Sequence, residues 1–109
     1  MTSGWHEPLT VLCDTAVVIM VTRDDDRSRY EGRLDGELVS VIDYTRTGDV
    51  VDITYTGTKR RHRGKGFASS LTQQALDDIR TEGWQVRPTC WFTAKYLDEH
   101  PEYADLRIQ

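Results

Sequence analysis

The first half of the chain alternates apolar and polar positions, and the second half changes to an apolar spacing of four. Ala16 to Arg23 is rich in Val and Ile and reads as a strand, which the run Asp24-Asp25-Asp26 breaks. Ser28 to Leu34 alternates as far as Asp35-Gly36, a strong hairpin signal, and Glu37 to Tyr44 pairs back. Thr47-Gly48-Asp49 marks another turn, and Val50 to Tyr55 alternates again before Thr56-Gly57-Thr58 loosens the chain. The pattern predicts four consecutive antiparallel strands.

After Gly66 the period is helical. Phe67, Leu71, Ala75 and Ile79 fall four apart, with Ala68 and Leu76 beside them, so one stripe of a helix faces the sheet until Gly83 stops it. Gln85 to Trp91 reads as a short fifth strand. Pro88 interrupts it and has no N–H to give to a ladder, which implies an edge position or a bulge where the ladder opens. A second helix, from about Thr93 to His100, ends at Pro101, and Tyr103, Leu106 and Ile108 pack the tail down. Residues 1–14, with Gly4 and Pro8 and little periodicity, read as a loosely packed lead-in. At 109 residues, one mixed α/β (α+β) domain over residues 1–109 is expected.

Charge changes this picture in one place. Fourteen basic residues against 18 acidic ones give a formal charge of -4, so the chain as a whole is not built to coat nucleic acid or an anionic membrane. The run Lys59-Arg60-Arg61-His62-Arg63-Gly64-Lys65 is basic all the same, in contrast to Asp24-Asp25-Asp26 and Asp77-Asp78, and such segregation points to one anionic ligand site. The run leads through Gly66-Phe67-Ala68 straight into the helix. Two glycines let the backbone turn and approach a ligand closely, and the unpaired first-turn N–H groups and the helix dipole both favour negative charge. Arg61, Arg63 and Lys65 add full positive charges, so the segment reads as a phosphate cradle.

No apolar stretch approaches the length needed to span a bilayer, and no Cys or His spacing suits a metal. Cys13 and Cys90 lie far apart, and the apolar run from Ala16 to Val21 is too short and lacks the basic lead-in of a secretory segment. A cytoplasmic protein with free thiols is the expectation.

The ordered series of strands, the strand Val50 to Tyr55, Arg61-x-x-Gly64-x-Gly66 opening a helix, and a further strand at a cleft resembles a GNAT-type N-acetyltransferase. More narrowly, Arg63-Gly64-Lys65-Gly66-Phe67-Ala68, followed by Pro88-x-Cys90-x-Phe92-x-x-x-Tyr96 and His100-Pro101-Glu102-Tyr103, resembles the small, cysteine-containing branch of that family, over roughly Glu37 to Leu106. The resemblance implies a mostly antiparallel mixed sheet with the cofactor helix after the fourth strand. It also implies acetyl-CoA or CoA bound in a V-shaped cleft where the fourth and fifth strands splay.

On that resemblance the N–H groups from about Arg63 through Gly64, Lys65, Gly66 and Phe67 to Ala68 would hold the pyrophosphate. Arg61, Arg63 and Lys65 would reach its oxygens, and His62 would contact phosphate or face solvent rather than act as a base. The backbone of Tyr55, Thr56 and Thr58 would pair with the pantetheine arm as a further strand would. Cys90 has two readings: a nucleophile that carries an acetyl group, or a small buried hydrophobe lining the cleft. Tyr96 is either the acid that protonates the leaving CoA thiolate or a core aromatic. His100 reads as a helix-end residue, and Trp84 and Trp91 as fillers of core and cleft walls.

Two positions depart from the family's pattern. Where relatives show a His-Thr pair at the end of the fourth strand this chain has Tyr55-Thr56, so the proton acceptor that a histidine would supply is missing. The turn before the loop reads Gly57-Thr58-Lys59-Arg60, with extra charge that favours phosphate contact, including the ribose 3'-phosphate of CoA. The expectation is transfer of an acetyl group to a primary amine of a small molecule or protein. The alternatives are a module that senses CoA without transfer, and a nucleic-acid-binding module using the basic run.

Overall fold

Asp35 and Gly36 both have positive φ, 52° and 86°, which is the backbone of a two-residue hairpin whose twist matches its strands. The turn fixes Leu34 opposite Glu37. The computed structural model describes residues 19–108. Its elements are β1 (Met20–Asp24), β2 (Arg29–Leu34), β3 (Glu37–Thr47), β4 (Val50–Thr58), a 3-10 turn (Arg60–His62), α1 (Phe67–Glu82), β5 (Gln85–Pro88), α2 (Trp91–Glu99) and a 3-10 segment (Pro101–Leu106). The sheet order is β1-β2-β3-β4-β5. The first four strands are antiparallel neighbours, whereas β5 runs parallel to β4 because α1 carries the chain back across the sheet between them. The expected mostly antiparallel mixed sheet is therefore observed.

The predicted stripe of α1 is the core. Phe67, Leu71, Ala75, Leu76 and Ile79 are fully buried against Tyr30, Val39, Ile42, Val51 and Ile53 of the sheet. Acidic residues of the same helix tie it down at its edges. The Tyr30 phenol and the Arg23 guanidinium both donate to Asp78, at 2.7 and 2.6 Å, and the Tyr103 phenol donates to Asp77 at 2.7 Å. Arg80 holds Asp105 through both of its terminal nitrogens, at 2.7 and 3.0 Å, which fastens the 3-10 segment to α1. Beyond it, the Ile108 N–H donates to the Val86 carbonyl at 2.9 Å, so the tail extends the sheet past β5.

Several boundaries differ from the sequence reading, each because a tertiary partner decides them. β3 continues past Tyr44 to Thr47, and β4 continues past Tyr55 to Thr58, since Ile42, Val41 and Ser40 lie opposite Thr56, Gly57 and Thr58. The Ser40 hydroxyl reinforces that end by donating to the Gly57 carbonyl at 2.9 Å. β5 stops at Pro88, short of Trp91, and α2 starts at Trp91 rather than Thr93. Cys90 is the N-cap of α2: its carbonyl already accepts the Ala94 N–H at 3.1 Å. Residues 1–14, Cys13 and the predicted start of β1 at Ala16 lie outside the described residues.

Leu71 does not line the cleft described below and is completely buried. Leu71→Ala should lower stability by about 2–5 kcal/mol, the usual cost of emptying a core leucine position. Urea unfolding would show it as a lower midpoint at unchanged slope.

Candidate active site

The site begins with one extra residue in β4. Asp43 lies opposite Tyr55 but Tyr44 lies opposite Ile53, so Thr54 is a bulge, and its hydroxyl donates to the Asp43 carbonyl at 3.3 Å. On the other side, β5 follows β4 only from Val50↔Gln85 to Ile53↔Pro88. Past that point the Thr89 N–H turns to the Arg87 carbonyl at 3.1 Å, and the last link is the Cys90 N–H donating to the Ile53 carbonyl at 2.9 Å. From Thr54 to Thr58 the β4 edge that faces α2 has no strand partner among the described residues. A cleft of about 560 Å³ opens there.

One wall of the cleft is that free edge, Tyr55 to Thr58, and the opposite wall carries Trp91 and Phe92 from the first turn of α2. The end is closed by His62, Arg63, Gly64 and Gly66 with Phe67, Ala68 and Ser69 of α1. Gly64 and Gly66 have φ of 81° and 82°, a left-handed backbone that side chains rarely adopt. Nothing lies within 4 Å of where a Cβ on either would be, so the loop is an open cradle. The Ser70 N–H is the first to find a helical acceptor, Gly66 at 3.0 Å. Gly66 has no side chain to cap the N–H groups of Phe67, Ala68 and Ser69, and no acidic residue in the first turn offsets the dipole.

Nine of the residues picked out from the sequence for cofactor binding therefore line one cleft: Tyr55, Thr56, Thr58, His62, Arg63, Gly64, Gly66, Phe67 and Ala68. Arg61 and Lys65 are exposed and do not line it. Arg61 is instead ion-paired with Glu37 at the start of β3. Arg63 keeps its orientation by donating from Nε to the Thr58 carbonyl at 3.4 Å. The His62 ring is buried 5.5 Å from that of Phe67, with Nε2 3.6 Å from the Glu37 carboxylate. Burial, then Lys65, Arg61 and Lys59, hold its pKa below the usual imidazole value. Gly57, Ser69 and Phe92 line the cleft without having been assigned to it individually from the sequence, and Trp91 lines it as a wall residue. Phe92 stands in the quoted motif, but it falls between the predicted strand and the predicted helix, which hid which way it faces.

Cys90 is half-buried at the junction of β5 and α2, with Sγ 3.7 Å from the Thr56 hydroxyl across the splay. Burial opposes ionisation of the thiol. The thiol donates to the Thr56 hydroxyl, and once ionised the sulfur accepts from that hydroxyl and from the N–H groups of Thr93 and Phe92, which outweighs burial and brings the pKa below the ordinary thiol value. Tyr96, one and a half turns along α2, is buried and stacked on His100 with ring centroids 3.8 Å apart. His100 Nδ1–H in turn donates to the Tyr96 carbonyl at 2.8 Å. Tyr96 borders not the main cleft but an adjoining cavity of about 120 Å³, which shares Ser69 and Phe92 with it. Burial, then Glu102 and Asp77, raise the pKa of its phenol. Trp91 is largely exposed at the cleft wall, whereas Trp84 lies at the far end of the molecule, with the Arg23 and Arg46 guanidiniums 4.9 and 4.5 Å from its ring. Among the described residues no group of three or more His, Cys, Asp or Glu side chains could hold a metal, and no helix is long and apolar enough to cross a membrane.

A sequence model of the GCN5-related N-acetyl-transferase family matches residues 29–106. Protein NATD1 of Gallus gallus is 33% identical over 98 residues, covering 88% of this chain and 89% of that protein. Protein NATD1 of Homo sapiens is 34% identical over 85 residues, or 76% and 75% of the two chains. Among solved structures, a GCN5-like protein from Staphylococcus aureus aligns with a TM-score of 0.64 at 15% identity, over 82% of this chain and 87% of that one. The ribosomal-protein-S18-alanine N-acetyltransferase of Escherichia coli aligns with a TM-score of 0.55 at 9% identity, over 65% and 49%. At such identities the structures speak to the fold alone, and the fold agrees. The family match takes in the open β4 edge, the glycine loop and both ends of α2, and the chain belongs to the GCN5-related N-acetyltransferase family.

Proposed function

We propose that this acetyltransferase binds acetyl-CoA along the open edge of β4 and moves its acetyl group to a primary amine by way of Cys90. The observation that carries the reading is the continuity of the cleft: an unpaired strand edge runs directly into an uncapped helix N-terminus. That combination suits one kind of ligand, an extended arm of amides joined to a pyrophosphate. Strand N–H and carbonyl groups from Tyr55 to Thr58 would satisfy the amides of the pantetheine arm as a neighbouring strand would. The first-turn N–H groups of α1, the glycine loop and the Arg63 guanidinium would take the pyrophosphate oxygens. Arg61 and Lys65, outside the cleft wall, would act on the phosphates as nearby charge rather than as lining groups. The acetyl donor supplies a thioester carbonyl at the splayed end of the arm.

Cys90 does not itself line the cleft, but its sulfur lies 3.7 Å from the hydroxyl of Thr56, which does, and it would meet the thioester there. Its sulfur attacks the acetyl carbon, forming one carbon–sulfur bond as the bond to the CoA sulfur breaks, so the exchange is nearly isoenergetic. The leaving sulfur takes a proton, for which the Tyr96 phenol is the candidate acid, kept protonated by its raised pKa. The acceptor amine then attacks the acetyl carbon held on Cys90. A carbon–nitrogen bond forms, the carbon–sulfur bond breaks, the amine proton passes by way of solvent to the Tyr96 phenolate and the Cys90 thiolate is restored. The α2 N–H groups and the Thr56 hydroxyl serve this route by stabilising the thiolate before attack and when it leaves.

Native mass spectrometry of the protein incubated with acetyl-CoA tests both parts at once. A noncovalent CoA adduct together with an acetyl increment mapping to Cys90 is the expected result. No adduct would overturn the cleft assignment, and an adduct with no acetyl on the protein would leave direct transfer in place of the two-step route.

Gly64→Glu should cut CoA affinity by more than about 100-fold, the equivalent of two charged hydrogen bonds lost, because it places bulk and negative charge in the cradle. Circular dichroism should be unchanged, since the loop is exposed. Cys90→Ala should leave CoA affinity within about 2-fold while abolishing the acetyl-enzyme, and full retained turnover would reject the covalent route.

The depressed thiol pKa has its own test. Thr56→Val should slow alkylation of Cys90 at pH 7 by about 3- to 10-fold, the worth of one hydrogen bond, by raising the thiol pKa. The difference should vanish at a pH above both thiol pKa values, where each variant is fully thiolate, and Thr56→Ser should restore the wild-type rate. Peptide mapping separates Cys90 from Cys13, and superimposable pH–rate curves would show that Thr56 does not stabilise the thiolate.

A further inference from the structure

The face of the sheet turned away from α1 has a groove of its own. Ile42 is buried in the core under α1, so its strand neighbours Val41 and Asp43, and their register partners Gly57 and Tyr55, point the other way. There, between β3 and the end of β4, Leu38, Val41, Tyr55, Gly57 and Lys59 border a concavity of about 230 Å³. Tyr55, Gly57 and Thr58 line both this groove and the large cleft, so a single strand separates the two. A Cβ built on Gly57 would overlap the Tyr55 phenol, with ring carbons at 2.7 and 2.8 Å. A glycine at position 57 thus lets the Tyr55 ring cover the strand on this side. The ring is still half-exposed, which makes it a free aromatic wall.

We propose that this groove receives the acetyl acceptor, and that the acceptor is a small primary amine with an apolar body and a carboxylate. The inference rests on the large cleft being the acetyl-donor site, and it adds the acceptor's chemistry. Size argues for a small molecule, since the volume lies below the roughly 300–1,000 Å³ of pockets for drug-sized ligands. Leu38, Val41 and the Tyr55 ring call for an apolar or aromatic body.

Charge argues for an anionic group. The groove's own charged residue is Lys59, and no carboxylate lines it. The acids of the neighbouring outer face are already neutralised: Asp43 by Arg29 at 2.9 Å, and Glu31 by Arg33 at 3.1 Å and Arg29 at 3.9 Å. A polyamine would find no free anionic partner there. The groove also has a direction. Tyr55 precedes Thr56, whose hydroxyl meets Cys90 on the opposite face of β4, so the Tyr55 end is level with the thiol across the open strand edge and the Lys59 end leads away toward the basic loop. An acceptor bound with its carboxylate at Lys59 presents its amine at the Tyr55 end, beside the edge of β4 that β5 leaves open.

Free phenylalanine, phenethylamine and spermidine, each offered to the full-length protein with acetyl-CoA, separate these properties. With products identified by mass spectrometry, phenylalanine should exceed phenethylamine in kcat/KM by at least about 10-fold, as expected for one charged hydrogen bond, and spermidine should be the poorest. Lys59→Glu should remove or reverse the ratio of the first two, a ratio taken within one variant and therefore insensitive to changed donor binding. Val41→Trp, which fills the groove on the far side of β4 from the donor, should raise KM for phenylalanine and leave acetyl-CoA binding unchanged. Failure to bind acetyl-CoA at all would overturn the donor site and the groove's role with it. If acetyl-CoA binds, then a preference for spermidine, equal use of phenylalanine and phenethylamine, no acceptance of any of the three, or a Lys59→Glu ratio like that of the wild type overturns the groove alone.

Discussion

Everything functional in this chain depends on a hydrogen-bond ladder that ends early. β4 and β5 are paired for four residues each and then part at Ile53 and Pro88. Two local causes coincide there. The Thr89 N–H, the donor that the next rung would need, turns instead to the Arg87 carbonyl at 3.1 Å, and the bulge at Thr54 turns β4 away. The chain recovers one bond, from the Cys90 N–H to Ile53, and immediately begins a helix. A parallel pair closed to its end would have left no free edge at Tyr55 to Thr58 and would have carried Cys90 deeper into a strand, away from any helix N-terminus. The cleft and the thiol's environment are thus consequences of one interruption.

Electrostatics builds on that opening without help from the overall charge. The chain is net acidic, yet its acids are largely committed elsewhere: Asp77 and Asp78 to Tyr103, Tyr30 and Arg23, Asp105 to Arg80, and Glu37 to Arg61. These pairs do structural work at the edges of α1 and keep carboxylates out of its first turn. The helix N-terminus and the glycine loop therefore retain their positive field where the cleft ends. The same basic surroundings act on His62, whose pKa is held below the usual imidazole value by burial and then by Lys65, Arg61 and Lys59.

Much of this was legible in the sequence because it is local. Asp35-Gly36 specifies a hairpin through its own backbone preference, the Phe67, Leu71, Ala75, Ile79 spacing specifies a buried helix face, and Gly64 and Gly66 specify a loop that side chains would strain. What was not legible depended on partners distant in the chain. Thr56 to Thr58 look like loop residues, yet they are strand because Ser40 to Ile42 lie opposite with hydrogen bonds to give. Arg61 reads as a phosphate ligand in the run of basic residues, but Glu37, 24 positions earlier, draws it off the cleft wall. Cys90 reads as a strand residue in the Gln85 to Trp91 segment. Only the loss of pairing after Pro88 makes it a helix cap, and only then do two backbone N–H groups reach its sulfur.

Strand β4 past its bulge is the part of the molecule where sequence and chemistry meet most closely. A strand normally commits one edge to each neighbour and one face to the core, which leaves little for ligands. Here the segment Tyr55 to Thr58 gives one edge to β3, leaves the other open, and presents on its outer face a glycine small enough for an aromatic ring to cover. One backbone can therefore serve as a ladder for an extended donor along its edge and as the floor of a separate groove behind it, a few ångströms of polypeptide apart. Gly57 carries both duties: a larger residue would displace Tyr55 from the outer face while leaving the edge hydrogen bonds in place. The distinction between the two sides of the strand is thus set by side-chain volume at one position, and the open edge by a donor turned aside, the Thr89 N–H, at another.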